Sequence, residues 1–477
     1  MHRFIGPARL AAAAAIAFAL MGPAASSAQA ASQACGGTGT VSTMTGTLAD
    51  GATYELQCPA VSWNGTLFLY SHGYVVPGSA NPAQDGTDPA TEGWLLANGY
   101  AIAGSSYAIT GWAVKSALSD QVATVNVFDQ NFGRPSHTIA WGVSLGGMIT
   151  AGLIQDYPSL FSAALPLCGV LSGGVATWNT ALDAAFAFQQ LIAPSVQIVN
   201  IKNPTANLEA GEAAVAAAQA TPQGRARLAL VAALDDTPGW FTPLSAEPAA
   251  TDYAAQEQNQ YLWDTEVTFP FVLDFRAQLE QLAGGNPSWN TGVNYSADLA
   301  KSANLAEVKA LYQTAGLSLG NDLTTLNRAP RISADQFAVA YLAQNIAYNG
   351  EISVPTLTVH TIGDGLVVPE NEQAYRSVVD RDGRGNLLQQ LFVDRAGHCA
   401  FTPAEIVTSM QVLLNRLSTG HWNVPAPATL NADAAALGPD FNIYDAGAGI
   451  VATPPAFASF SPTRYLRPFD LFPFPIL

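Results

Sequence analysis

Residues 138–156 hold an apolar run that stops at Gly142, a Gly-x-Ser-x-Gly centred on Ser144, and then small and apolar residues at helical spacing. That order reads as a strand, a sharp turn and a helix. It constrains the fold more than any other segment, because a strand feeding straight into a helix is the unit from which parallel sheets are built. Glycines at 142 and 146 avoid a clash as the helix folds back across the strand, and the turn strains the residue that carries the hydroxyl. Ser144 is therefore the candidate nucleophile. A second match, Gly316-Leu-Ser318-Leu-Gly320, follows a helical run at 306–313 and leads into Asn321-Asp322, which reads as turn chemistry. No strand feeds it and no obvious helix leaves it, so Ser318 is expected in a loop.

The rest of the chain supplies the sheet around that turn. Residues 41–58 read as a hairpin turning at 49–52. Buried strands are expected at 65–71, 100–105, 136–141 and 163–168, and helices at 91–97 and 114–132. The alternation then breaks. Residues 171–350 are mostly helical in pattern, with aromatics scattered through them. Strands resume at 354–361 and 388–393, and a helix follows at 403–417. The expected architecture is an α/β fold with a mostly parallel sheet. Its core comprises 31–170 and 351–420, with a large helical cap, 171–350, inserted after the strand that follows the turn. Residues 421–477, rich in Ala, Pro and Gly, are expected as an irregular tail packed on the core.

The first thirty residues combine His2, Arg3 and Arg9 with an apolar stretch and end Ala28-Gln29-Ala30, the pattern of a secretory signal peptide. Export is the expected fate, since that stretch is too short to span a bilayer and no later segment is long enough. A net charge of −17 argues against nucleic acid or an anionic membrane as partner. In an exported chain the four cysteines, Cys35, Cys58, Cys168 and Cys399, suggest two disulfides with three possible pairings. Cys35–Cys58, stapling the hairpin, together with Cys168–Cys399 is favoured. No histidine or cysteine spacing suggests a metal, and no cofactor is expected.

A serine hydroxyl needs a base, and the base needs an orienting acid. Asp364 follows the 354–361 strand in Gly363-Asp364-Gly365, at the strand end where parallel sheets carry functional loops. Asp394 is its closest rival; Glu351, Asp380 and Asp382 rank lower. His398, in a loop between the last strand and the last helix, is the expected base, whereas His137 and His360 fit strand interiors and His421 lies beyond the last helix. Backbone N–H groups of Leu145 and Tyr74 are the expected oxyanion donors, with Gly73 allowing close approach and His72 shaping the loop.

The elbow at 142–146, His72-Gly73, Gly363-Asp364 and Gly397-His398 together resemble the α/β-hydrolase superfamily, in particular secreted bacterial esterases and prolyl-oligopeptidase-like hydrolases. The match spans about 61–170 and 352–418. His398-Cys399 is also similar to the tannase and feruloyl esterase family, in which the cysteine beside the histidine is bridged to one beside the serine. Val143 stands at that second position here, and Cys168 could serve instead. The resemblance implies a serine hydrolase without cofactor. An aromatic-rich cap favours a small-molecule or polymeric carboxylic ester as substrate. A secreted peptidase is the alternative, for which Glu209, Glu212 and Glu266 are candidate anchors of a free amine. A binding protein on a decayed scaffold is the third reading.

Overall fold

The computed structural model describes residues 34–447 and 449–469. The expected signal peptide and the last residues of the tail, 470–477, lie outside the described residues. The N-terminal hairpin pairs β1 (Ser42–Thr47) with β2 (Thr53–Cys58), closed by a turn in which the Leu48 N–H donates to the Ala52 carbonyl at 2.7 Å. Cys35 and Cys58 are bridged at its foot.

β3 (Thr66–Ser71), β4 (Ala101–Ser105), β5 (His137–Val143), β6 (Ala163–Leu167), β7 (Thr356–Gly363) and β8 (Leu388–Ala396) form the parallel part of the sheet. Their order is β4-β3-β5-β6-β7-β8, with β2 and β1 added antiparallel beyond β4. β3, β4 and β6 are buried along their whole length, as continuous apolar runs covered on both faces must be. α1 (Pro89–Ala97) contributes Leu95 to one covering layer, while α2 (Val114–Phe132) and α3 (Leu145–Asp156) pack Phe128, Met148 and Ile149 into the other. This is the doubly wound sheet of the α/β-hydrolase fold.

Between β6 and β7 the chain is helical: α4 (Gly174–Leu191), α5 (Pro204–Gln219), α6 (Pro222–Ala233), α7 (Tyr253–Trp263), α8 (Arg276–Ala283), α9 (Tyr295–Leu299), α10 (Leu305–Ala315), α11 (Leu319–Arg328) and α12 (Gln336–Gln344). Leu182, Phe186, Phe188, Leu230, Tyr312 and Leu326 join in a core separate from those beneath the sheet. Between α7 and α8 the backbone opens into π-helical turns over Asp264–Thr268 and Pro270–Phe275. Pro270 has no N–H to donate, which weakens the ordinary helical ladder there.

Two expectations need correction. Ser318 does lie in the short loop between α10 and α11, but a helix leaves it: it is the N-cap of α11, its hydroxyl accepting from the Asn321 N–H at 3.3 Å. Asn321 and Asp322 occupy the first helical turn, where polar and acidic side chains are as favourable as in a turn. Nor is the tail irregular throughout. After α13 (Glu370–Arg381) and α14 (Pro403–Thr419) come α15 (Pro427–Ala435) and a small hairpin of β9 (Ile443–Asp445) and β10 (Ile450–Ala452). β11 (Phe457–Ala458) then adds an antiparallel strand to β8. Proline stands at the start of α15, where its missing N–H costs nothing. Farther on, the Arg467 guanidinium donates to Asp183 of α4, so the tail fastens the helical segment to the rest.

Candidate active site

Ser144 sits between β5 and α3 with φ 59° and ψ −122°, a backbone region that a side chain adopts only under strain. The strain is imposed by neighbours. A Cβ on Gly142 would lie 2.4 Å from the Ser71 carbonyl oxygen, and one on Gly146 would lie 1.8 Å from the same atom. The glycines therefore let β5 and α3 close against the end of β3, more than against each other, and the turn holds the Ser144 hydroxyl out of the sheet.

His398 meets that hydroxyl, and Asp364 meets His398. The His398 Nε2 is 2.7 Å from Ser144 Oγ, and its Nδ1 is 2.7 Å from Asp364 Oδ2. Asp364 is fully buried, and its other oxygen accepts the N–H groups of Leu366 and Val367 at 3.0 Å each. One face of the carboxylate is thus fixed by backbone and the other is left for the imidazole. Asp394, the rival acid, is exposed on β8. Behind Asp364 lies His360, fully buried, with Nδ1 3.1 Å from Glu372 and Nε2 2.7 Å from the Val367 carbonyl. Burial pushes the His360 pKa down, but Glu372 and then Asp364 more than offset it and leave it above the ordinary histidine value.

The loop that carries His398 is tied at several points. Thr361 Oγ1 donates to the Gly397 carbonyl at 2.8 Å, and the Gly397 N–H donates to Gly363 at 3.0 Å. Arg395 donates to the Ala400 carbonyl at 2.7 Å and pairs with Glu405, which completes a capping box with Thr402 at the head of α14. Cys399 is bridged to Cys168, just past β6. The Ser144 N–H donates to Leu167 at 3.0 Å, so the bridge reaches the elbow through the neighbouring strand. Cys168, His398 and Cys399 cluster within 4.8 Å, but both sulfurs are consumed in the disulfide and are not free to bind a metal. Replacing both Cys168 and Cys399 by Ser is expected to lower the melting free energy by about 2–4 kcal/mol. It should also cut turnover at least about tenfold through a displaced imidazole; kinetics and calorimetry on the double variant read both effects.

Leu145 and Tyr74 line the cavity in front of Ser144. Leu145 is the first residue of α3, where an N–H has no acceptor within the helix and is free for an oxygen beside Ser144. Gly73 approaches closely: a Cβ there would stand 3.4 Å from that of Ser144. His72 braces this loop, its ring nitrogens facing the carbonyls of Gly73 at 2.7 Å and Ser106 at 3.0 Å, and burial lowers its pKa. The cavity, about 80 Å³, is walled mainly by Trp112, Trp178, Val170, Phe271 and Val272. It also holds Asp235, which sequence reasoning missed, whereas Glu209, Glu212 and Glu266 are exposed and line no part of it. A signal existed. Asp235-Asp236 directly follows the apolar helix α6, and acids are unfavourable at a helix C-terminus unless something else requires them.

A family model described as a tannase-like family of unknown function matches residues 42–295, just over half the chain. The chain belongs to that family. This tannase-like protein is 29% identical over 425 residues to an o-phthalyl amidase of Xanthobacter agilis, covering 82% of this chain and 90% of the relative. Among solved structures, feruloyl esterase B from Aspergillus oryzae aligns at TM-score 0.39 and 13% identity, covering 80% of this chain and 81% of that one. The rice cell wall degrading esterase LipA from Xanthomonas oryzae aligns at TM-score 0.34 and 14% identity, covering 80% and 89%.

Proposed function

We propose that the protein is a secreted serine hydrolase that cleaves small-molecule or polymeric carboxylic esters through an acyl-enzyme on Ser144. The observation that supports it best is the hydrogen-bonded series from Asp364 through His398 to a serine on strained backbone. In this reading the Ser144 O–H donates to His398 Nε2, which takes the proton as Oγ attacks the carbonyl carbon. Asp364 holds the Nδ1–H tautomer and stabilises the imidazolium. The Leu145 and Tyr74 N–H groups receive the developing oxyanion. The imidazolium then protonates the leaving alkoxide, and water, activated by the same base, releases the acid. Residues 171–350 act as the cap that closes the apolar cavity, and the two disulfides suit an exported enzyme.

Amide cleavage is the second reading, favoured by the amidase relative. Matched 4-nitrophenyl esters and 4-nitroanilides of acetate, butyrate and benzoate distinguish the two. The ester reading expects kcat/KM at least about 100-fold higher on the esters, since the same acyl-enzyme forms more readily from the better leaving group. Hydrolysis of the anilides with the esters untouched would make the protein an amidase or peptidase.

A further inference from the structure

The chemistry at Ser144 leaves unused two acidic side chains deeper in the helical segment. Asp235 lines the cavity that opens on Ser144 and also a second cavity behind it; Ala181, Thr268 and Val272 are likewise common to both. Asp264 lines the second. It is 4% exposed, one oxygen accepting the Thr268 hydroxyl at 3.1 Å while the other, Oδ2, is buried with no partner. The Asp235 carboxyl has no hydrogen bond among the described residues.

Among the described residues, no lysine, arginine or histidine lines either cavity. The Arg276 guanidinium, 5.6 Å above the Trp178 ring, is engaged by Glu280 and Asn286, and Arg467 is held by Asp183. Without a cation the carboxyls are costly in their charged form. Burial, and then Asp236, Asp264 and Asp183, push Asp235 well above the usual carboxylate range, and burial first of all raises Asp264 to about 7. The local backbone is unusual as well: Asp264 opens the first π-helical turn, a geometry that recurs at functional sites.

We propose that Asp235, Asp264 and Thr268 form a subsite for a basic nitrogen, so that the preferred substrate carries an alkylammonium on the group that fills the cavity. Three acceptors suit the three donors of an ammonium. The hydrocarbon stem would lie between the apolar side chains of Trp112, Trp178 and Phe271. A neutral hydroxyl would serve one acceptor and leave two carboxyls without countercharge. This subsite deepens the hydrolase reading and rests on it.

Two measurements test it separately from that reading. By titration calorimetry at pH 8, benzylammonium should bind the wild-type protein at least about tenfold more tightly than benzyl alcohol. Asp235→Asn and Asp264→Asn, each checked for folding by its melting curve, should each remove that difference, while the exposed Glu266→Gln keeps it. Equal binding of amine and alcohol, or a difference that survives both substitutions, overturns the subsite. In turnover, the wild type should favour 4-nitrophenyl 4-(aminomethyl)benzoate over the near-isosteric 4-ethylbenzoate by about tenfold or more in kcat/KM. The ratio should fall to about one in Asp235→Asn. Hydrolysis of both esters at equal rates sinks the subsite alone; hydrolysis of neither, with benzylammonium still bound through Asp235, sinks the hydrolase reading alone.

Discussion

Ser144→Ala is expected to reduce hydrolysis of 4-nitrophenyl acetate by at least about 10⁴-fold, with the melting temperature within a few degrees of wild type. The size follows from the role. Without Oγ there is no acyl-enzyme, and only the oxyanion donors and the cavity remain to assist water. The fold should survive because alanine keeps the Cβ that the elbow already accommodates at φ 59°. The strain there is set by Gly142 and Gly146 against Ser71, and not by the hydroxyl. Ser318→Ala is the matched control. Its hydroxyl caps α11, so its loss should cost about 1 kcal/mol of stability and leave turnover unchanged. Activity that disappears in Ser318→Ala and persists in Ser144→Ala would contradict the assignment.

Asp364→Asn should lower kcat by about 10⁴-fold, although the side chain changes by one atom. The Leu366 and Val367 N–H groups both donate to Oδ1, so an asparagine must keep its carbonyl oxygen there. Its NH₂ is then turned toward His398 Nδ1, where it donates to the ring and selects the tautomer with Nε2–H. That ring cannot accept the Ser144 proton. The variant should fold, bind substrate with a KM close to wild type, and fail in the chemical step. Asp394→Asn, on the exposed face of β8, should leave kcat unchanged. A kcat for Asp364→Asn within tenfold of wild type would remove Asp364 from the mechanism.

The sheet was legible because its strands are short apolar runs bounded by glycine and polar turns, and because β5 and α3 are joined by a turn with few sequence solutions. Asp364 and His398 stood out for a related reason: each follows a strand, in a glycine-containing loop, and the structure brings His398 within hydrogen-bonding distance of Ser144 and Asp364 within hydrogen-bonding distance of His398. The parts that were missed depend on tertiary neighbours. Phe457 and Ala458 are too few to signal a strand, and they become one only because β8 offers an open edge. Asn321-Asp322 suits a turn and a helix start alike, and only packing of α11 through Leu326 separates them. Asp235 and Asp264 lie 29 residues apart in a stretch with no repeating pattern, and their meeting at one cavity is a product of how α6 and the π-helical turns pack.

The most direct test of the account is the position of a covalent adduct. Intact protein treated with a fluorophosphonate, digested and mapped by mass spectrometry should carry a single phosphonyl group on the peptide containing Ser144. Labelling should be lost in His398→Ala, where the hydroxyl has no base. A phosphonyl group found on Ser318 or any other residue, or no adduct under conditions that label a known serine esterase, would contradict the claim that Ser144 is the nucleophile.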